Sequence, residues 1–298
     1  MCGIVGLFAK SQAMEAQLGA HLAQMLGVMC DRGPDSAGFA VYGAGRDGAV
    51  KVTVRGPEGY DFAALADAAR AKVGAAVAVR PIATHAVFTV PESAAKAFAA
   101  FIAATPDVSV VSEGERIEVY KEVGLPPDVA RRFGLAEMSG THGIGHTRMA
   151  TESAVTTNGA HPFTTGPDQC LVHNGSLSNH NAVRRALQRE GFTFKTDNDS
   201  EVAAAYLSAQ MRRGKSLGQA LEAGLNDLDG FYTFVVGTES GFGVLRDPIA
   251  CKPAVMAETE DYVAFGSEYR ALAGLPGVGA ARVWEPEPAK VYFWERRA

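Results

Sequence analysis

Short runs of strand-type residues crowd both ends of this chain, with helix-type runs between them, and this arrangement limits the architecture more than any other feature. Near the N-terminus, residues 3–9, 36–42 and 51–55 are apolar or β-branched runs broken by Gly, Pro and Asp turns. After Asp229-Gly230, the runs 231–237, 243–247, 254–258 and 262–267 read as a meander, and 284–294 as a last strand pair. Residues 14–29 carry Leu18, Leu22, Met25, Leu26 and Met29 at the spacing of a helical stripe. Further helices are expected over 179–190, 200–213 and 217–228. Sheets and helices of this kind bury their apolar faces against one another, which predicts an α+β domain of stacked antiparallel sheets covered by helices.

Residues from about 57 to 140 have a different character. They are rich in alanine and alternate between the two periods: helices over 62–73 and 92–104, strand-like residues over 76–90, and a hairpin of 108–111 with 116–123 across Ser112-Glu113-Gly114-Glu115. This reads as a small α/β subdomain inserted into one domain that spans 1–298. It holds no cluster of cysteine, histidine or acid, and reads as a docking or structural insertion.

A net charge of −5 gives no electrostatic reason to bind nucleic acid or an anionic membrane. No apolar stretch reaches the 18 or more residues of a membrane span, and no basic segment followed by an apolar core marks a signal peptide. The cysteines are Cys2, Cys30, Cys170 and Cys251, with no C-x-x-C pair, so neither a zinc nor an iron–sulfur site is suggested. The expectation is a reducing cytoplasm, with three structural thiols and one reactive one.

The reactive one is Cys2. If Met1 is removed, one residue carries both a thiol nucleophile and a free α-amine, which titrates near about 7.7–8.0 and can take the thiol's proton. Three further groups could serve such a nucleophile. Arg148 ends the glycine-bearing run Gly143-Ile144-Gly145-His146-Thr147 and could grip a carboxylate through two parallel N–H bonds. His173-Asn174-Gly175 follows an apolar run; an asparagine amide beside a glycine N–H makes an oxyanion hole, although Asn-Gly is also the commonest tight turn. Thr196-Asp197-Asn198-Asp199-Ser200-Glu201 is either an ordinary helix cap or a source of an acid for a substrate ammonium group. His142 and His146 have no acid in metal-ligand spacing and read as structural, so no metal is expected.

Together these runs resemble the glutaminase domain of the class II glutamine amidotransferases, members of the N-terminal nucleophile hydrolases. The resemblance is carried by Met1-Cys2-Gly3-Ile4-Val5-Gly6, Arg32-Gly33-Pro34-Asp35-Ser36-Ala37-Gly38, Gly145-His146-Thr147-Arg148 with Ala150-Thr151, Asn158-Gly159-Ala160-His161-Pro162-Phe163, His173-Asn174-Gly175 and Asp199-Ser200-Glu201. It covers 1–56 and about 140–298. It implies a four-layer αββα sandwich, with Cys2 attacking the side-chain amide of glutamine and releasing ammonia through a glutamyl thioester. On the matching positions it further implies that Asn174 and Gly175 hold the oxyanion. Arg148, Asp199 and Thr151 bind the substrate, and Arg32 braces the loop that holds Cys2. Asp197 competes with Asp199, but the family pattern fits Asp199-Ser200-Glu201 better. Met149 and Glu152 stand where many members carry an aromatic residue and a histidine.

The chain carries no Walker-type loop and no dinucleotide fingerprint, so an acceptor domain is expected on another polypeptide. The closest type by resemblance is the small subunit of N-methylglutamate synthase (methylamine–glutamate N-methyltransferase), a glutamate-synthase-like hetero-oligomer. That implies partner synthase subunits with flavin mononucleotide and an iron–sulfur cluster, no cofactor in this chain, and glutamine or glutamate as the small-molecule substrate. The alternatives are the amidotransferase subunit of an ammonia-transferring glutamate synthase and a non-catalytic assembly subunit.

Overall fold

Strand β1 (Gly3–Ala9) shows why the molecule is layered: all seven residues are buried, which requires cover on both faces. Side chains alternate along a strand. Ile4 and Phe8 therefore enter a core between two sheets, while Val5, Leu7 and Ala9 enter a core beneath helices. The computed structural model describes residues 2–150 and 154–296.

The larger sheet has seven strands, all antiparallel to their neighbours. β1 lies at its centre, between β8 (His142–Arg148) and β14 (Tyr262–Gly266). Beyond β8 come β2 (Ser36–Tyr42) and β7 (Ile117–Val123); beyond β14 come β13 (Val255–Glu258) and β15 (Arg282–Trp284). Its outer face is covered by α2 (Leu18–Val28) and α5 (Pro126–Arg132). The stripe expected over 14–29 is divided at Gln17 into α1 (Gln12–Ala16) and α2. Ser11 caps α1 through Met14 N, and Gly19 lies so close to the backbone of Leu135 and Met138 that the chain is pinned there.

The second sheet has the order β16 (Val291–Glu295), β12 (Gly241–Arg246), β11 (Gly230–Gly237), β10 (Gln169–Leu177), β9 (Phe163–Gly166). Its outer face packs on α7 (Asp199–Arg212) and α8 (Leu217–Asp227), with α6 (His180–Arg189) beside α7. Between the two sheets, Ile4, Phe8, Ile144, Val172, Phe242 and Phe265 interdigitate. Helices, sheet, sheet, helices: this is the expected four-layer αββα sandwich.

A third sheet, in the order β4 (Ala78–Ile82), β5 (His85–Pro91), β3 (Ala49–Arg55), β6 (Ser109–Gly114), carries α3 (Phe62–Val73) and α4 (Glu92–Ala103). It has its own core around Val52, Phe62, Phe88, Phe98 and Ile102. This small unit begins earlier and ends sooner than the 57–140 read from the sequence: β3 belongs to it, whereas β7 and α5 belong to the large sheet.

Strand pairing departs from the sequence expectation in two places. The hairpin of 108–111 with 116–123 does not form, because β6 pairs with β3 and β7 with β2. The crossover between them is held by Asp168, whose carboxylate accepts the N–H groups of Glu115, Arg116 and Ile117 at 2.6, 2.9 and 2.9 Å. Likewise 284–294 is no strand pair: β15 joins β13 in one sheet and β16 joins β12 in the other. Among the thiols, Cys170 is buried but Cys251 is exposed and has no packing role. No helix among the described residues is long and apolar enough to cross a membrane.

Candidate active site

Cys2 directly precedes the central strand of the large sheet, and three segments converge on it. The register pairs Gly3 with Thr147, which brings Arg148, the last residue of β8, alongside Cys2. The turn after α2 supplies Arg32, buried, whose Nε donates to the Cys2 carbonyl at 3.0 Å while Nη1 pairs with Glu268 at 2.5 Å. Gly33 lets that turn lie flat on β8, since a Cβ there would stand 2.4 Å from the Thr147 carbonyl carbon. Asp35 accepts the Ala150 N–H at 2.8 Å, tying the same turn to the chain beyond Arg148.

The third segment comes from the other sheet. Asn174, buried, donates from Nδ2 to the Cys2 carbonyl at 3.3 Å. The Asn-Gly pair is not a turn: β10 stays paired with β11 from Cys170 to Leu177. Gly175 sits in mid-strand at φ +145, and a Cβ there would lie 2.0 Å from the Phe231 carbonyl oxygen. Along β10 the N–H of His173 goes to His161 Nδ1 at 3.2 Å and that of Leu177 to Asp199 Oδ2 at 2.9 Å, both on the edge away from β11. In an extended strand the direction alternates, so the Gly175 N–H between them points to that same edge.

Asp199 is the first residue of α7, capped by the Asn198 side chain. Its Oδ1 accepts from Ser200 Oγ at 3.3 Å and lies 3.7 Å from His173 Nδ1. Burial pushes this carboxyl up, but His173, the Leu177 N–H and His180 together hold it down to about 2. A carboxyl depressed in the folded state contributes stability that is complete above its unfolded value of about 3.9 and is lost as pH falls through the folded value. Asp199→Asn is therefore expected to melt below wild type at pH 7, with the gap closing between about pH 4 and pH 2. Melting curves across that range check this; a gap independent of pH would contradict it.

These groups line one cleft of about 750 Å3, whose walls include Cys2, Arg148, Asn174, Gly175, Asp197 and Asp199. Arg148 is buried, and its Nη1 donates to the Ala154 carbonyl at 3.4 Å. Met149 is at the rim, with its carbonyl 3.9 Å from the Cys2 sulfur. Thr151 and Glu152 lie outside the described residues, as does Met1. Asp197 and Asp199 both reach the cleft, but only Asp199 is tied to β10.

The cleft also holds three histidines to which the sequence reading gave no part in the chemistry. His146, His161 and His173 line it, and His146 stacks on His161 with ring centroids 4.0 Å apart. Burial pushes His146 down to about 3 and His161 well below its ordinary value, so both are neutral. His146 Nε2 donates to the His173 carbonyl at 3.1 Å. His142, by contrast, stacks on Tyr42 between the sheets and bonds the Thr238 carbonyl, as a structural histidine would. Both histidines project from the same face of β8, and only distance along the strand toward Cys2 separates a core residue from a cleft residue. The sequence signal for His146 was its position two residues before Arg148. No group of metal-ligating side chains occurs among the described residues.

A half-buried cysteine ahead of a central strand, between two sheets sandwiched by helices, defines the chain as having the fold of the N-terminal nucleophile hydrolases. The glutamine phosphoribosylpyrophosphate amidotransferase of B. subtilis has the same fold, with a TM-score of 0.63 at 20% identity over 99% of this chain and 47% of that one. The chain thus spans about half the length of that solved protein. A glutamine amidotransferase domain model matches residues 146–274. The glutamine amidotransferase-like protein GlxB of Rhizobium meliloti is 63% identical over 301 residues, 100% of this chain and 99% of that protein. A putative glutamine amidotransferase of Methanothermobacter thermautotrophicus is 33% identical over 304 residues, 98% and 99% of the two chains. The chain belongs to the class II glutamine amidotransferases.

Proposed function

We propose that this cleft binds glutamine and that Cys2, once Met1 has been removed, hydrolyses its side-chain amide. The observation that carries the reading is the convergence of Cys2, Arg148, Asn174, Gly175 and Asp199 on one cleft from four separate parts of the chain. In this reading the Cys2 α-amine takes the thiol proton and the sulfur bonds to the amide carbon. The Asn174 amide and the Gly175 N–H stabilise the resulting oxyanion. The amine then returns the proton to the leaving nitrogen, so ammonia departs and a glutamyl thioester remains, which water opens to glutamate and free thiol.

At the other end of the substrate, Arg148 holds the α-carboxylate and Asp199, ionised across the physiological range, holds the α-ammonium. Thr151 is assigned to substrate binding by family resemblance. Arg32 acts through the Cys2 backbone, fixing the nucleophile by its bond to the carbonyl. Arg148→Lys keeps the charge but loses the planar fork. It is expected to raise KM for glutamine about 10–100-fold with kcat nearly unchanged; steady-state glutaminase kinetics check this.

The finer reading is that the chain is the amidotransferase subunit of a glutamate-synthase-like hetero-oligomer, of the N-methylglutamate synthase type. There the synthase subunits carry flavin mononucleotide and an iron–sulfur cluster and accept the released nitrogen. This rests on the motif resemblance. Comparing glutamine with γ-glutamylmethylamide as substrates of the assembled complex tests it. Methylamine released at a rate comparable to ammonia supports the assignment, and hydrolysis of glutamine alone points to ammonia transfer instead.

A further inference from the structure

The cleft wall formed by 158–162 carries Asn158, Gly159 and His161, all facing the cavity. Behind it stands Lys121, on β7, with only 8% of its surface exposed. Its Nζ donates to the carbonyls of Asn158, Ala160 and Pro162 at 3.3, 2.7 and 3.3 Å. An ammonium group has three N–H bonds, and here three carbonyls of one wall take them. The Phe163 ring lies 4.7 Å from the same nitrogen. Opposite Lys121 on β2 is Gly38, where a Cβ would stand 2.2 Å from the His161 carbonyl oxygen, so the wall is seated directly on the sheet.

We propose that Lys121 is a positioning residue: its ammonium clamps the 158–162 wall in the shape that faces the substrate. The clamp does not touch substrate. It rests on the glutamine reading only for its consequence in catalysis, not for its existence.

The surroundings of the clamp make it sensitive to pH. Burial and then the charge of Lys195, with a smaller contribution from Arg55, push Lys121 down to about 7, against the opposing pull of Glu201. His161 and His85 also feel its charge, and burial keeps both neutral. The charged form, with its third N–H, is therefore complete at acidic pH and is lost as pH rises through about 7. A neutral amine keeps two donors for three carbonyls.

The test is hydrogen exchange of the amides in 154–163, corrected for the intrinsic pH dependence of exchange, in the full chain with and without Lys121→Met. At pH 6 wild type is expected to be protected about 10-fold more than the variant in this segment. At pH 9 wild-type protection should fall toward that of the variant. Equal protection at pH 6 would overturn the proposal. So would a loss of the same size at both pH values, the result of packing alone. Should the variant fail to fold, the wild-type pH dependence of this segment, measured against α8, decides the matter by itself. Glutamine KM in a folded variant should rise about 10-fold at pH 6 with little change in kcat. Because exchange needs no substrate, a protein that hydrolyses no glutamine yet shows the Lys121-dependent protection would sink the glutamine reading and leave the clamp standing.

Discussion

Replacing Cys2 with alanine is expected to lower glutamine hydrolysis by about 10⁴-fold or more while leaving the fold intact. The size follows from the chemistry, since no other nucleophilic thiol lines the cleft among the described residues. The neutral fold effect follows from the contacts. Arg32 and Asn174 both bond the Cys2 carbonyl, which alanine retains, and among the described residues the sulfur makes only a weak contact of 3.9 Å to the Met149 carbonyl. Glutaminase rate and melting temperature, measured on the same preparation, check both halves. Full activity in the variant would end the assignment of Cys2 as nucleophile. A large fall in melting temperature would mean that the thiol is structural after all.

Gly175→Ala is expected to have the largest effect on stability. The residue is locked at φ +145 in the interior of β10, conformational space that an L side chain rarely enters. The added methyl would lie 2.0 Å from the Phe231 carbonyl oxygen and 2.7 Å from the Tyr232 Cα, both backbone atoms that cannot swing aside. Relief requires β10 and β11 to separate next to Asn174. The cost should reach about 3 kcal/mol or more, a fall in melting temperature on the order of 10 °C. Activity should be lost as well, since the N–H proposed to hold the oxyanion moves with the strand. Thermal melts monitored by circular dichroism check the first part. A variant that melts with wild type would show that the strand pair is looser than its register indicates.

Much of the fold could be read before the structure was known, and the reason is periodicity. The α3 span was legible to the residue, because Phe62, Leu65, Ala66 and Ala69 form one buried stripe, with Asp61 capping and Gly74 ending it. β1 was legible as a buried run. What failed was pairing. Residues 108–111 and 116–123 have strand composition and a turn-like link, yet belong to different sheets, because a carboxylate 51 residues beyond Ile117 and 52 beyond Arg116, that of Asp168, takes the amides of the crossover. No local pattern encodes that. The ends of the small unit were missed for the same reason: β3 and β7 look alike in sequence, and only their partners place them in different layers.

The site divides along similar lines. Cys2, Arg148, Asn174, Gly175 and Asp199 were named from motifs, and all five reach the cleft. The turn alternative for Asn174-Gly175 was resolved by register, not by residue type. Lys121 gave no sequence signal, and His161, though part of the run Asn158-Gly159-Ala160-His161-Pro162-Phe163, was given no role by it. A lysine in a strand reads as a solvated residue until its three carbonyl partners are seen, and His161 gains its place by stacking on a residue of another segment.

The central claim is that the mature chain presents a free N-terminal cysteine that reacts with glutamine. The intact mass of the purified protein, before and after treatment with diazo-oxonorleucine, tests it most directly. The account predicts loss of the Met1 mass and a single adduct that maps to Cys2. A chain that retains Met1 and takes no adduct, even with its partner subunits present, would contradict it and leave an assembly subunit with an unused cleft.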